Sequence, residues 1–227
     1  MSVTDDEIST LIEYCEANLG DPDLWKTPDG YPDSLALCII DAIYSTGSHY
    51  SSVVKVINRY KCAGGANHGA SDLRQSIAHA GGGRGWAETI AQNVKPAHTK
   101  AHAKLKAEVI EQAADLMIEH GIDTVPDFVS KVSDNLRDNN VLRAWKKLPS
   151  QSSGVTYNYL LILAGLPSVK PDRMVLRFLR DALGEDADLN EGRAIDLLEA
   201  TAERIGVDPR ALDHIAWRAA SGRELTD

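Results

Sequence analysis

The 227-residue chain is 43% hydrophobic and 25% charged, the balance of an ordinary globular protein long enough for one large domain or two small ones. It holds no run of about 18 apolar residues, which excludes a membrane partner, and its acidic start, MSVTDDEIST, lacks the layout of a secretion signal, so a cytoplasmic location is expected. With 33 Asp and Glu against 24 Lys and Arg, the net charge of −9 argues against a general nucleic-acid binder; any phosphate contact has to come from a local basic patch.

In chain order, Thr4-Asp5-Asp6-Glu7 reads as a capping box, with Ile8, Leu11, Ile12 and Cys15 as the apolar stripe behind it. Prolines 22, 28 and 32 make residues 20–32 a connection. Asp33 is the expected cap of a helix over 34–44 containing LALCIIDAIY, apolar on most faces and therefore central to a core. Ser45-Thr46-Gly47-Ser48 breaks it before a second helix over 50–60, and a further helix is expected around 68–79. Residues 81–85 (GGGRG) read as a flexible connector without the Lys-Ser/Thr of a nucleotide-binding loop. A helix then starts at Trp86, and a long one covers 99–119, stopped by Gly121. Thr124 and Pro126 start a short helix; Leu148-Pro149 opens a turn before the apolar stretch 157–163. Pro171 is placed as a first-turn proline of a helix reaching Leu183, and Asn190 and Asp208-Pro209 cap the last two. The sum is an all-α protein of about ten helices, with no internal repeat.

The three cysteines, Cys15, Cys38 and Cys62, read as buried free thiols, and no cysteine cluster suggests zinc or an iron–sulfur centre, so no metal or other cofactor is expected. KPAHTKAHAKLK, residues 95–106, is the one concentrated basic stretch. On a helix Lys100 would stack on Lys104, and His98 on His102, giving either a phosphate-contacting face or a solvated one. Tyr44, His49 and Tyr50, and Tyr157 and Tyr159 further on, are either core residues or the walls of an aromatic pocket. Trp25, Trp86, Trp145 and Trp217 are read as packing residues.

Two segments carry a resemblance: Leu148-Pro149-Ser150-Gln151-Ser152-Ser153-Gly154-Val155-Thr156, and Lys170-Pro171-Asp172-Arg173-Met174-Val175-Leu176-Arg177-Phe178. In order and spacing they resemble the helix-hairpin-helix (HhH-GPD) DNA glycosylase superfamily, which includes endonuclease III and the adenine and alkyl-purine glycosylases. There an LPGxGxxTA-like hairpin is followed by a helix and then by a VDTHVxRV-like segment. Residues 34–60 resemble the paired helices around that family's DNA-inserting loop, and Lys106-Ala107-Glu108-Val109-Ile110 its KAxxI helix start.

The resemblance implies a middle helical domain over 33–168 and a second over 1–32 plus 169–227, with a cleft between them. It implies double-stranded DNA as partner and Asp172 as the catalytic carboxylate. Ser150, Gln151, Ser152, Ser153 and Gly154 would form the DNA-binding hairpin, with Lys170, Lys100 and Lys104 as further phosphate contacts. Ser45, Thr46, His49, Tyr50 and Tyr157 would form the base-flipping loop or pocket. Three departures shape the expectation. Ser150 and Ser152 replace hairpin glycines; Gly154 replaces the Schiff-base lysine of bifunctional members, which rules out an imine there; and the iron–sulfur cysteines are missing. The implied activity is monofunctional base excision, the alternative a relative that keeps the fold as a DNA-binding or protein-interaction module. Taken alone, Asp172 is also the carboxylate that any helix start favours.

Overall fold

Caps and apolar spacing agree along most of the chain, and the helices follow from that agreement. The computed structural model describes residues 3–225 and forms twelve α-helices, with no strand among the described residues. None of these helices is long and apolar enough to cross a membrane. The chain divides into two compact units, one of residues 1–29 with 167–227 and one of residues 30–166.

The larger unit holds α2 (Leu35–Ser45), α3 (Tyr50–Cys62), α4 (Ala70–His79), α5 (Gly83–Thr89), α6 (Lys106–Glu119), α7 (Val125–Val132), α8 (Asn140–Trp145) and α9 (Val155–Leu163). Helix α2 is its axis: every residue from Leu35 to Tyr44 is buried, and it packs against α3, α6 and α9. Each fully buried Leu or Ile contributes about 1.5–3 kcal/mol, so this one helix is a large share of the core. Ser34, not Asp33, caps it, accepting from Leu37 N at 3.3 Å. The smaller unit holds α1 (Asp5–Asn18), α10 (Arg173–Leu183), α11 (Glu191–Ile205) and α12 (Pro209–Ala220). Its core is built from Leu11, Cys15, Phe178, Leu197, Leu198 and Leu212. Arg193–Glu7 and Arg204–Asp5 ion pairs tie α11 to α1.

Several expectations are corrected. The helix expected over 99–119 begins only at Lys106. Before it the chain doubles back: Pro96 bridges Leu105 in antiparallel fashion, Ala97 N bonds Lys104 O and Lys106 N bonds Lys95 O, both at 2.9 Å. His102 sits at φ 59, incompatible with a helix, so neither Lys100 and Lys104 nor His98 and His102 stack at helical spacing. Helix α8 has no counterpart in the sequence reading; six residues are too few for an apolar period, and its signal is the Asn139 cap on Leu142 N at 2.8 Å. Asp172 caps α10, which moves Pro171 outside the helix. Cys15 and Cys38 are buried, but Cys62, at the end of α3, is exposed.

The glycine stretch is not a flexible connector. Gly83 and Gly85 lie inside α5, where a Cβ on Gly83 would come within 2.7 Å of the α6 backbone at Glu108. A Cβ on Gly85 would come within 1.8 Å of the Ala80 carbonyl oxygen. These glycines permit close backbone approach rather than motion. Gly85→Ala is therefore expected to destabilise the protein by about 2 kcal/mol, the cost of overpacking a dense interior, although alanine is the better helix former. Urea denaturation checks this, and an unchanged or raised midpoint would refute the close-approach account.

Candidate functional site

The hairpin segment joins α8 to α9 through nine residues, 146–154. Leu148 N bonds Trp145 O, Gln151 N bonds Leu148 O and Gly154 N bonds Gln151 O, at 3.0–3.1 Å. Two residues are left-handed, Ser150 at φ 66 and Gly154 at φ 88. A buried network braces the turn. The Gln151 amide donates to Pro149 O at 3.0 Å, its Oε1 accepts from the Thr156 hydroxyl at 2.5 Å, and Trp145 Nε1 donates to that hydroxyl at 2.9 Å. Gln151 is thus an internal brace, while Ser150, Ser152 and Ser153 are exposed at the tip. Lys146 and Lys147, exposed where α8 ends, were not singled out in the sequence. The Lys146 stem runs beside Gly154, its Cδ 3.9 Å from where a Cβ would stand.

The loop after α2 is fastened from beneath. The side chain of Lys106, 1% exposed, donates through Nζ to Ile43 O at 2.9 Å, Tyr44 O at 3.0 Å and Thr46 O at 2.5 Å. These are the orphan carbonyls at the end of α2, where the helix dipole favours a cation. Lys95 Nζ also donates to Gly47 O. Ser45 and Thr46 turn their hydroxyls back onto Ala42 O and Ile43 O, whereas His49 is exposed. The basic hairpin 96–105, carrying Lys100 and Lys104 exposed on its loop, is thereby linked to this loop through both flanking lysines.

Tyr157 does not face any opening: it is fully buried, hydrogen-bonded to Asn139 at 3.0 Å and packed edge-on against Phe128 and Trp145. Tyr44 is buried as well, its hydroxyl on Asn93 O. A different aromatic group forms around Asp41, a wholly buried carboxylate in the middle of α2. The Tyr31 hydroxyl donates to its Oδ2 at 2.8 Å. Half-buried Tyr159 is bonded to half-buried Tyr50, and burial first, then the Asp41 charge, pushes the Tyr159 hydroxyl well above its ordinary pKa. An acid in an otherwise apolar helix is the sequence signal for this group.

Lys170 and Asp172 belong to the smaller unit. Asp172 N bonds Lys170 O at 2.7 Å, closing a tight turn over Pro171. Asp172 Oδ1 caps α10, accepting from Met174 N at 2.8 Å and Val175 N at 3.2 Å. Its Oδ2 takes no part in these bonds. Asp213 of α12, also unmarked in the sequence reading, accepts from Lys170 N at 2.8 Å. Arg177 makes only an exposed 3.9 Å pair with Asp181. An open cavity of about 470 Å³ in this unit is lined by Trp25, Lys26, Asp29, Val207, Asp208 and Ala211 among others, and not by Asp172.

Charge separates between the units. Residues 30–166 hold 14 Lys and Arg and 12 Asp and Glu, a net of +2, so the remaining residues carry −11. The acidity of the chain is therefore not spread over the unit that bears the hairpin and the basic loop.

A family model described as "Domain of unknown function (DUF8548)" matches residues 9–221, and the chain belongs to this family. No curated protein and no solved structure matches it.

The Lys106 geometry has a direct consequence. Lys106→Met keeps the length and apolar stem but removes the ammonium from three carbonyls, of which Ile43 O retains the Thr46 hydroxyl, and should cost about 2–3 kcal/mol. Amide exchange should accelerate at residues 45–49. Wild-type melting together with unchanged exchange would show that the ammonium is not what holds the loop.

Proposed function

We propose that this member of the family binds double-stranded DNA, has a helix-hairpin-helix fold of glycosylase type, and hydrolyses the N-glycosidic bond of a modified or mismatched base without cutting the strand. The observation that carries the reading is the hairpin between α8 and α9. It turns left-handed at Ser150, a conformation glycine adopts freely and serine rarely, at the position where the resembled family has glycine. Serine there keeps a left-handed turn of the kind glycine would favour, which supports the hairpin reading. The charge distribution supports the same reading. Lys146 and Lys147 flank the hairpin, and Lys100 and Lys104 stand on the basic loop, all in the unit of net +2. An acidic chain can meet phosphates through such a unit.

The chemistry follows from Asp172. Breaking the bond between C1′ and the base nitrogen sends the electron pair to the departing base and leaves positive charge on the sugar. A carboxylate beside that carbon stabilises the charge and takes the proton of the attacking water as the C1′–O bond forms. Asp172 Oδ1 is committed to the α10 cap, so Oδ2 is the oxygen for this task. Gly154 offers no amine, hence no covalent imine and no strand cleavage from that position. Free thiols fit a reducing compartment, the cytoplasm.

Release of free base from duplexes carrying uracil, alkylated purine, oxidised guanine or mismatched adenine tests the reading. The wild type should release base from at least one and leave the abasic site uncut. Asp172→Asn should lower the rate about 10³-fold, the scale of a lost acid–base group, with DNA binding retained. Lys146→Ala with Lys147→Ala should weaken binding to all duplexes alike and flatten its salt dependence by about two phosphate contacts. No release from any duplex together with no binding at low salt would overturn the proposal; binding without release would remove the chemistry and leave the DNA-binding part.

A further inference from the structure

The Asp172 site contains a second carboxylate that sequence reasoning passed over. Asp213 lies on the buried face of α12 with Leu212 and Ala216, 6% exposed, and α12 packs directly on α10. A carboxyl group is costly to bury, and a bond to one backbone N–H offsets only part of that cost. Here the N–H belongs to Lys170, the first residue of the turn whose last residue is Asp172. Two links, Asp213 Oδ1 to Lys170 N at 2.8 Å and Lys170 O to Asp172 N at 2.7 Å, thus run from the interior of α12 to the backbone of Asp172.

We propose that Asp213 is the positioning residue of the Asp172 site: its buried carboxyl fixes the Lys170-Pro171-Asp172 turn and, by taking up or releasing a proton, sets the charge beside Asp172. The inference rests on Asp172 being the reacting carboxylate. Two anions so placed cannot both be comfortable in a poorly solvated site. Burial pushes the Asp213 carboxyl up to about 8; the Asp172 charge adds to the rise, and the Lys170 amide bond and charge oppose it. On α12 itself Arg210 is taken up by a fork with Asp208. On α11, which also packs on α12, Arg193 and Arg204 are engaged by Glu7 and Asp5. At neutral pH Asp213 is then protonated and Asp172 faces a neutral neighbour. As pH rises past about 8, Asp213 ionises and Asp172 acquires a like charge next to its turn. Environments that set two carboxyls apart in this way are the usual means of dividing their roles.

Because the folded value lies above the ordinary 3.8, the folded state holds a proton that the unfolded chain has released. Stability from this group is complete below about pH 4 and is lost as pH rises through about 8. Asp213→Asn keeps the acceptor for Lys170 N and removes the titration. The test follows the Asp172 carboxyl carbon by NMR in the full chain across pH 3–10, beside thermal melts over the same range. In the wild type the Asp172 signal should show an inflection near pH 8, where Asp213 titrates, and Asp213→Asn should abolish it and flatten the decline of stability between pH 4 and 8. By reciprocity, Asp172→Asn should lower the Asp213 midpoint, which keeps the test open if Asp213→Asn fails to fold. Superimposable Asp172 curves in the wild type and Asp213→Asn, or an Asp213 midpoint unmoved by Asp172→Asn, would overturn the proposal. These readouts need no DNA, so they stand apart from any failure of base release.

Discussion

The larger unit depends on how the end of α2 is satisfied. A helix buried along its whole length from Leu35 to Tyr44 carries its last carbonyls into the interior, out of reach of water. Each would cost about 1–3 kcal/mol if left bare. The ammonium of Lys106 meets three of them at once, and the negative end of the helix dipole offsets the cost of burying the charge. The solution fixes more than a cap. Lys106 is the first residue of α6, and the chain before it folds back as the 96–105 hairpin instead of extending the helix. Its partner Lys95 then reaches Gly47, and the 45–49 loop is held from two sides.

This arrangement also gives the basic loop its character. Lys106 buries its charge and Lys95 gives its ammonium to Gly47 O at the surface, whereas Lys100 and Lys104 remain exposed between them. Two of the four lysines that make the stretch look uniformly basic are therefore structural. The electrostatic case for nucleic acid moves to the exposed pair and to Lys146 and Lys147 beside the hairpin. It is helped by the low charge of residues 30–166, since a field of −9 spread over every surface would repel phosphate at a distance of a Debye length or less.

The helical class and most caps were legible because they are local: Thr4, Thr124, Asn190 and Asp208 sit one residue before the helices they start. What failed to show was set by tertiary contact. KPAHTKAHAKLK holds Lys, Ala or Leu at eight of its twelve positions, all good helix formers, yet helix starts only at its last residue, the lysine whose ammonium meets the end of α2. The GGGRG stretch reads as mobile by composition, yet Gly83 and Gly85 are where α5 meets Glu108 and Ala80. Asp172 was visible as a helix-start carboxylate on its own merits. Asp213 was not, since an acid inside ALDHIAW looks like a solvated position until α10 is packed against it. Asp41 announces itself by sitting alone among apolar residues, but its tyrosine neighbours come from residues 31, 50 and 159, which no local pattern connects.

The hairpin, too, is shaped by buried contacts rather than by local sequence. A serine in the left-handed region costs about 1–2 kcal/mol relative to glycine, so Ser150 persists only if its surroundings demand the turn. They do: Gln151 is locked between Pro149 O and the Thr156 hydroxyl, and Trp145 holds that hydroxyl from the other helix. The turn is thus dictated by buried side chains on both flanking helices and not by the freedom of its tip. A tip relieved of that duty can carry side chains, and Ser150, Ser152 and Ser153 present three exposed hydroxyls in place of bare backbone. Glycine lets a phosphate approach the N–H groups closely, whereas serine hydroxyls reach outward to meet it. On the proposed DNA-binding reading, serine in place of glycine would exchange a close backbone contact for a longer, side-chain one on the same braced turn.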